Sequence, residues 1–198
     1  MSRFGTFTLV AAMSIFVSVS CSKDEAKDTP AGQKTVKAVP DKAPEPTPDK
    51  PTEPTATAQI AEMVAGCEAS ADARTARHTA KPLYERLGGH DPIVAVVKRI
   101  IELHVADDSP IKDVFKGVDL DKLAGHVVNF VGMGTGGPEK YTGRPMKEGH
   151  AHLKLTDEMF LAAGVDIMET LAEFKVPKNE TEEFMCIILS FKDDVVTM

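Results

Sequence analysis

A glycine-rich break separates two helical segments of this chain and limits the ways in which it can fold. The break is marked by Gly132, Gly134, Gly136, Gly137 and Pro138. Glycine gives the backbone access to conformations that other residues avoid, and proline removes a backbone donor. One continuous helix is therefore excluded, and the segments on either side are expected to fold back on each other.

One face of each segment carries a histidine. The first segment has a stripe with the spacing i, i+3, i+4, i+7, formed by Leu123, His126, Val127 and Phe130. In the second segment, Met146 and His150 are four residues apart and share a face. Folding back would bring His126 and His150 towards one apolar space. Two imidazoles across such a space favour a flat, apolar, metal-centred ligand, and haem is the obvious one.

Residues 1–21 are predicted to be a lipoprotein-type signal segment. A single arginine is the only charge before an apolar run that continues to Ser22, and Cys21 lies near its end. This pattern is typical of an export signal, and the residues before Cys21 resemble a bacterial lipobox with Ser18 where leucine is usual. We expect export to the bacterial cell envelope and a lipid on Cys21, with Ser22 favouring an outer-membrane anchor that faces the periplasm. An uncleaved membrane anchor and plain secretion remain alternatives.

Two further segments precede the main domain. Residues 22–57 are rich in proline and charged residues and contain no aromatic residue. Such a composition cannot bury enough apolar surface to offset the entropy of ordering, so we expect a disordered, extended linker. Residues 58–81 are predicted to be a helical lead-in. The apolar residues of this segment form only a loose stripe, so a solvated helix is favoured. They are Ile60, Met63, Val64 and Cys67.

Residues 82–198 are predicted to form one all-α domain. Apolar residues recur there with helical spacing, and no segment alternates with the period of two that a strand requires. Four polar residues are predicted to cap helix N-termini: Asp91, Asp119, Thr156 and Asn179.

Charge and cysteine content narrow the function further. The formal net charge of −7 argues against nucleic acid as a partner. Cys67 and Cys186 remain if Cys21 is lipidated, and an oxidising compartment permits a bridge between them. Spacing leaves the pairing open, because Cys186 also fits a small core residue. No CxxCH motif is present, so covalent haem attachment of the c type is not predicted.

Several motifs between residues 82 and 195 resemble those of group I truncated haemoglobins. They are LYERLGG at 83–89, Phe115 before Gly117, GGPEKYTGR at 136–144, Met146-Lys147 before His150, and LTDEMF at 155–160. Their order and spacing together are highly specific. The resemblance implies a two-over-two helical sandwich, a shortened globin, with one haem b per chain.

The resemblance also implies roles for individual residues. His150 matches the proximal histidine, which binds iron through neutral Nε2. His152 is roughly 200° further around a helix and does not fit that role. The other matched positions are Phe115 at the haem edge, Tyr141, Met146, Leu155 and Phe160 in the haem wall, and Lys122 and Lys147 near the propionates.

The distal side departs from the commonest family pattern. Many members place a tyrosine where this chain has Ile101, or Glu102 if the register slips by one. Distal glutamines are replaced by Leu123 and Val127, which leaves His126 as the obvious polar group. His126 matches a histidine that is the sixth iron ligand in some cyanobacterial and algal relatives. The alternative is that His126 turns to solvent or to a propionate.

The resulting functional hypothesis is a haem globin that reversibly binds oxygen, nitric oxide or carbon monoxide in the cell envelope. A bis-histidine electron-transfer protein is the second hypothesis. Nitric oxide dioxygenation ranks lower, because the hydrogen-bond donors that stabilise oxygen are missing, so the protein is not predicted to be an enzyme. A globin that has lost haem is a fourth reading, which the retention of His150, Phe115 and Met146 disfavours. The expected partners are a diatomic gas, an unidentified reductase and, through Cys21, a membrane.

Overall fold

The computed structural model describes residues 53–198, so the predicted signal segment and all but the end of the predicted linker lie outside the described residues. The helices are α1 (Ala56–Ala69), α2 (Ala71–Ala80), α3 (Leu83–Arg86), α4 (His90–His104), α5 (Leu120–Gly134), α6 (Met146–His150), α7 (Asp157–Glu173), α8 (Lys178–Leu189) and α9 (Lys192–Val195), with a 3-10 helix at Lys112–Phe115. The described part of the chain contains no strand, which confirms the all-α prediction. Within residues 53–198, no helix combines the length and the apolar character that crossing a bilayer would need.

Helices α4, α5, α7 and α8 form two layers of two helices. Helix α4 packs on α5 and on α7, and α7 packs on α8. The side chains of Val97 and Leu171, at the centre of this core, are fully buried. Apolar residues recur at helical spacing along α4, so burying that stripe provides the main driving force for packing. The predicted two-over-two arrangement is confirmed.

Two of the four predicted N-caps are confirmed. Asp119 accepts a hydrogen bond from the backbone N–H of Lys122, and Thr156 accepts one from that of Met159. The other two predictions are wrong. Helix α4 begins one residue before Asp91, because Gly89 at φ 83° turns the chain directly into His90. Helix α8 begins before Asn179 is reached, directly after the extended Pro177.

The glycine-rich break is held by a buried carboxylate. Glu139 Oε1 accepts hydrogen bonds from the Tyr84 hydroxyl at 2.7 Å and from His90 Nδ1 at 3.0 Å. Its other oxygen lies against Gly132 and Gly137, where an added Cβ atom would be 2.4 Å away. The two glycines therefore make room for the carboxylate, which fixes the path of the chain from α5 towards α6.

Helix α1 packs against α7 and α8, so the expectation of a solvated lead-in is wrong for this helix. Ile60 is 3% exposed and packs in a small core with Phe160 and Leu189. Cys67 forms a disulfide with Cys186 of α8, with 5.6 Å between the Cα atoms. The pairing that the sequence left open is present, and it ties α1 to the domain. Helix α1 also begins two residues inside the predicted linker.

Candidate functional site

A cavity of about 750 Å³ lies between the two helical layers and the segment that carries α6. Its size is within the range of small-molecule and cofactor sites, and its walls are mainly aliphatic and aromatic. Eleven of the twelve predicted site residues line it, namely Phe115, Lys122, Leu123, His126, Val127, Phe130, Tyr141, Met146, His150, Leu155 and Phe160. Lys147 is exposed and is not part of the lining.

The orientation of His150 follows from one hydrogen bond. Its Nδ1 lies 2.7 Å from the backbone carbonyl oxygen of Met146, four residues earlier on α6. A carbonyl oxygen can only accept, so Nδ1 carries the proton and donates it. The neutral ring then keeps a lone pair on Nε2. This is the tautomer of a metal-binding imidazole whose other nitrogen donates to a backbone acceptor.

His126 lies on α5 among aromatic rings. Its ring meets that of Tyr141 edge-on, with the centroids 6.4 Å apart, and Phe130 packs against the same tyrosine at 5.4 Å. Within residues 53–198, His126 has no hydrogen-bond partner. Neither of its nitrogens is therefore committed to the protein, and the ring is free to serve a bound group.

The α4 wall of the cavity is aliphatic at the position for which the resemblance to truncated haemoglobins implies a tyrosine. Ile101 is buried and lines the cavity. Glu102 points away and pairs with Arg99 at 3.3 Å. Of these two residues only Ile101 faces the cavity, so this position of the wall has no hydroxyl.

Cationic side chains lie at the edge of the cavity. Lys122 and Arg144 are both exposed and both contribute to its lining. Such positions suit the carboxylates of an amphipathic ligand whose apolar body lies inside. Arg144 was not singled out as a site residue, although it ends the GGPEKYTGR motif.

His104 is a cavity residue that the sequence analysis missed. It is 12% exposed, and its Nδ1 lies 2.7 Å from Asp166 Oδ2 of α7. Its ring centroid is 5.7 Å from that of Phe115. Burial lowers the pKa of His104, although the neighbouring Asp166 opposes that shift. The available signal was spacing, since His104 follows Ile100 and Ile101 of the buried stripe by four and three residues.

Comparisons with known proteins agree on one kind of domain. The family model described as "Bacterial-like globin" matches residues 82–197. The group 1 truncated hemoglobin of Nostoc sp. is 34% identical over 116 residues, which are 58% of this chain and 96% of that protein. For the Synechocystis sp. protein of the same name, the identity is 36% over 109 residues, or 53% and 87% of the two chains. The crystal structure of truncated hemoglobin from Tetrahymena pyriformis in the Fe(III) form has a TM-score of 0.56 and 29% identity, and covers 59% of this chain and 98% of that one.

Proposed function

Because this chain belongs to the bacterial-like globin family through residues 82–197, we propose that it is a haem globin that reversibly binds a diatomic gas in the cell envelope. Truncated globins bind haem b and small gas molecules, and this chain shares their fold and family. The observation that carries the proposal is the state of His150, whose Nε2 lone pair is left free in an apolar cavity.

The residues present fit haem. His150 would bind the iron, the aromatic and aliphatic walls would enclose the porphyrin, and Lys122 with Arg144 would meet the propionates. Haem would supply an iron that coordinates one imidazole and leaves a further position for a small ligand. The side chains of the cavity would then set the affinity for each ligand. They do so through the volume of the cavity, the exclusion of water and the hydrogen-bonding groups present.

Replacing His150 tests the cofactor assignment. His150→Ala, expressed with ample haem, should lose the Soret band, because no other imidazole holds its Nε2 lone pair in that position. His152→Ala is the matched control and should keep the band. Stoichiometric haem with unchanged axial ligation in His150→Ala would show that another histidine is the proximal ligand.

The gases proposed are oxygen, nitric oxide and carbon monoxide. Ile101, Leu123 and Val127 offer no hydrogen-bond donor, so oxygen would lack the usual support unless His126 provides it. The same lack argues against turnover as a nitric oxide dioxygenase. Return of the iron to the ferrous state would need a reductase as a partner.

A second candidate function is electron transfer by a haem with two histidine ligands. The uncommitted nitrogens of His126, in the same cavity as His150, favour it. If His126 is the sixth ligand, the gas-free ferrous protein should show a low-spin, six-coordinate absorption spectrum. His126→Ala should then become five-coordinate and bind carbon monoxide faster, because no internal ligand has to leave first.

The same measurement separates the other roles of His126. A wild type that is already five-coordinate, with faster oxygen release in His126→Ala, would make His126 a hydrogen-bond donor. The electron-transfer function would then be excluded. Unchanged spectra and rates would assign His126 to the packing of the helix edge.

The envelope location is supported by the predicted signal segment and by the Cys67–Cys186 disulfide, which suits an oxidising compartment. We propose that a lipid on Cys21 anchors the protein to the outer membrane. Cys21→Ala should release it from the membrane fraction or leave an uncleaved precursor. Wild-type protein found only in the cytosol would refute this location.

A further inference from the structure

The cavity wall contains a second oriented imidazole besides His150. His104 ends helix α4, lines the cavity, and is bonded through Nδ1 to Asp166 Oδ2 at 2.7 Å. Both side chains are largely buried, at 12% and 18% exposure. The wall around His104 is apolar: the ring of Phe115 lies beside it, tilted by 36°, and Ile111 and Val114 also line the cavity. A polar pair is thus built into an otherwise apolar part of the site.

The hydrogen bond to Asp166 fixes which nitrogen of His104 carries the proton. A carboxylate can only accept, so Nδ1–H donates, and the neutral ring has its lone pair on Nε2. Asp166 does not line the cavity, so the Nδ1 edge faces away from it and the Nε2 edge faces it. Within the described part of the chain, Nε2 of His104 has no hydrogen-bond partner. It is not one of the fully buried polar atoms, so a molecule in the cavity can reach it.

The position of the proton on His104 distinguishes ligands that carry a proton from ligands that do not. A neutral imidazole with a bare Nε2 cannot donate a hydrogen bond to oxygen or carbon monoxide. It can accept a proton from a molecule that carries one. Because Nε2 is accessible from the cavity, a protic molecule that enters can donate a hydrogen bond to it. Burial keeps the ring neutral by lowering the pKa of His104, which preserves the lone pair.

We propose that His104 is the proton acceptor of this cavity for a small, uncharged weak acid of the hydrogen peroxide class, and that Asp166 positions its ring. In the step, the O–H bond of hydrogen peroxide breaks, its proton forms a bond to Nε2, and the electron pair stays on oxygen as the hydroperoxide anion. The products are that anion and an imidazolium paired with Asp166. The step needs no oxidant or reductant. It rests on the proposed haem globin only because the acid enters the same cavity.

Ligands with and without a proton provide the test. Hydrogen cyanide is a weak acid that must lose its proton to bind ferric haem, whereas carbon monoxide carries none. His104→Leu in the haem-loaded protein should slow cyanide association and the reaction with hydrogen peroxide by roughly 10²-fold, the lower range for a general base. Carbon monoxide association with the ferrous protein should change far less. Equal slowing of cyanide and carbon monoxide association would show that His104 only contributes to packing, and would overturn the proposal.

Asp166→Leu is the matched second variant, because Asp166 lies outside the cavity and its loss leaves the cavity wall intact. It should also slow cyanide selectively, since the ring can then take the other tautomer. Normal carbon monoxide binding in this variant would show that the globin function stands. A cyanide rate equal to that of wild type would overturn the positioning role of Asp166.

The tautomer itself can be read without any reaction. In the diamagnetic ferrous carbon monoxide form, nitrogen-15 NMR of the histidine rings should show His104 protonated at Nδ1 and bare at Nε2. Asp166→Leu should move the proton towards Nε2. A wild-type ring protonated at Nε2 would refute the proposal even if His104→Leu fails to fold or to hold haem.

Discussion

Two glycines of helix α5 provide a matched pair at the scale of single residues. A Cβ atom on Gly132 would lie 2.4 Å from Glu139 Oε2, whereas one on Gly125 would meet nothing within 4 Å. Gly132→Ala should lower the free energy of unfolding by about 1–3 kcal/mol, the usual cost of overpacking. The carboxylate cannot simply move aside, because Tyr84 and His90 hold it.

Gly125→Ala is the control, and its effect should have the opposite sign. Alanine is favoured over glycine inside a helix by about 1 kcal/mol, so this variant should be as stable as wild type or more stable. Urea unfolding of both variants, followed by circular dichroism, measures the two effects. Equal stability of Gly125→Ala and Gly132→Ala would mean that the contact with Glu139 does not restrict the break.

At this scale the sequence predicts positions on a helix better than hydrogen-bond partners. The spacing of Met146 and His150 predicts that both line the cavity, and they do. Only the structure shows that Nδ1 of His150 donates a hydrogen bond to the carbonyl oxygen of Met146. Likewise, spacing alone could have placed His104 on the buried stripe. Its partner Asp166 is 62 residues away, and such a pairing depends on how α4 and α7 pack.

At the scale of elements, the disulfide between α1 and α8 should be a large contribution to stability. It closes a loop across a sequence separation of 119 residues. In the chain-entropy model, such a loop corresponds to roughly 5 kcal/mol of unfolding free energy, as an upper figure. The double variant Cys67→Ser, Cys186→Ser should therefore unfold at a markedly lower urea concentration than the oxidised wild type.

A reductant supplies the control for that experiment. A dithiol added during unfolding should lower the stability of the wild type to that of the double variant, and should leave the double variant unchanged. If the oxidised wild type and the double variant unfold together, then α1 is held by its apolar contacts alone. Ile60 and the small core around it provide those contacts.

The packing of α1 shows what sequence patterns leave undetermined about elements. Its stripe from Ile60 to Cys67 is short and weakly amphipathic, so the sequence favours a solvated helix. The surface that covers Ile60 is built from α7 and α8, far along the chain. Helix α4, with its continuous apolar stripe, was predictable because its burial follows from its own residues.

At the scale of the whole molecule, ion pairs with buried carboxylates join distant helices. Glu183 of α8 is 5% exposed and pairs with Arg77 at 2.5 Å and with Arg86. Burial opposes ionisation, but the hydrogen bonds from these two arginines outweigh it and lower the pKa of Glu183. The hydrogen bond from Thr57 lowers the pKa of Asp157, against burial and with help from Lys192. These contacts link α1 to α7, and α2 and α3 to α8.

The pH dependence of stability follows from the sign of these shifts. A carboxylate whose pKa is lower in the folded state binds fewer protons there than in the unfolded chain, so folding loses stability as the pH falls. The loss should begin near the ordinary glutamate pKa of about 4.3 and continue downwards through the lowered folded pKa. The contribution of His104 has the same sign, because burial lowers its pKa, and the stability it provides begins to be lost at a higher pH, about 6.5.

Urea unfolding of wild type and Glu183→Gln at a series of pH values tests this account. The variant should be less stable at neutral pH, by up to about 3 kcal/mol, because Arg77 loses its buried partner while Arg86 keeps its ion pair with Glu180. The free energy of unfolding of the variant should also fall less steeply between about pH 5 and 3, because the carboxylate no longer titrates. The difference in slope should correspond to the uptake of at most about one proton on unfolding. Comparing the two proteins at equal haem content removes the part of the slope that haem loss adds to both. Parallel slopes would mean that Glu183 titrates alike in the folded and unfolded chains, and that the ion pairs across α2, α3 and α8 do not set the acid stability.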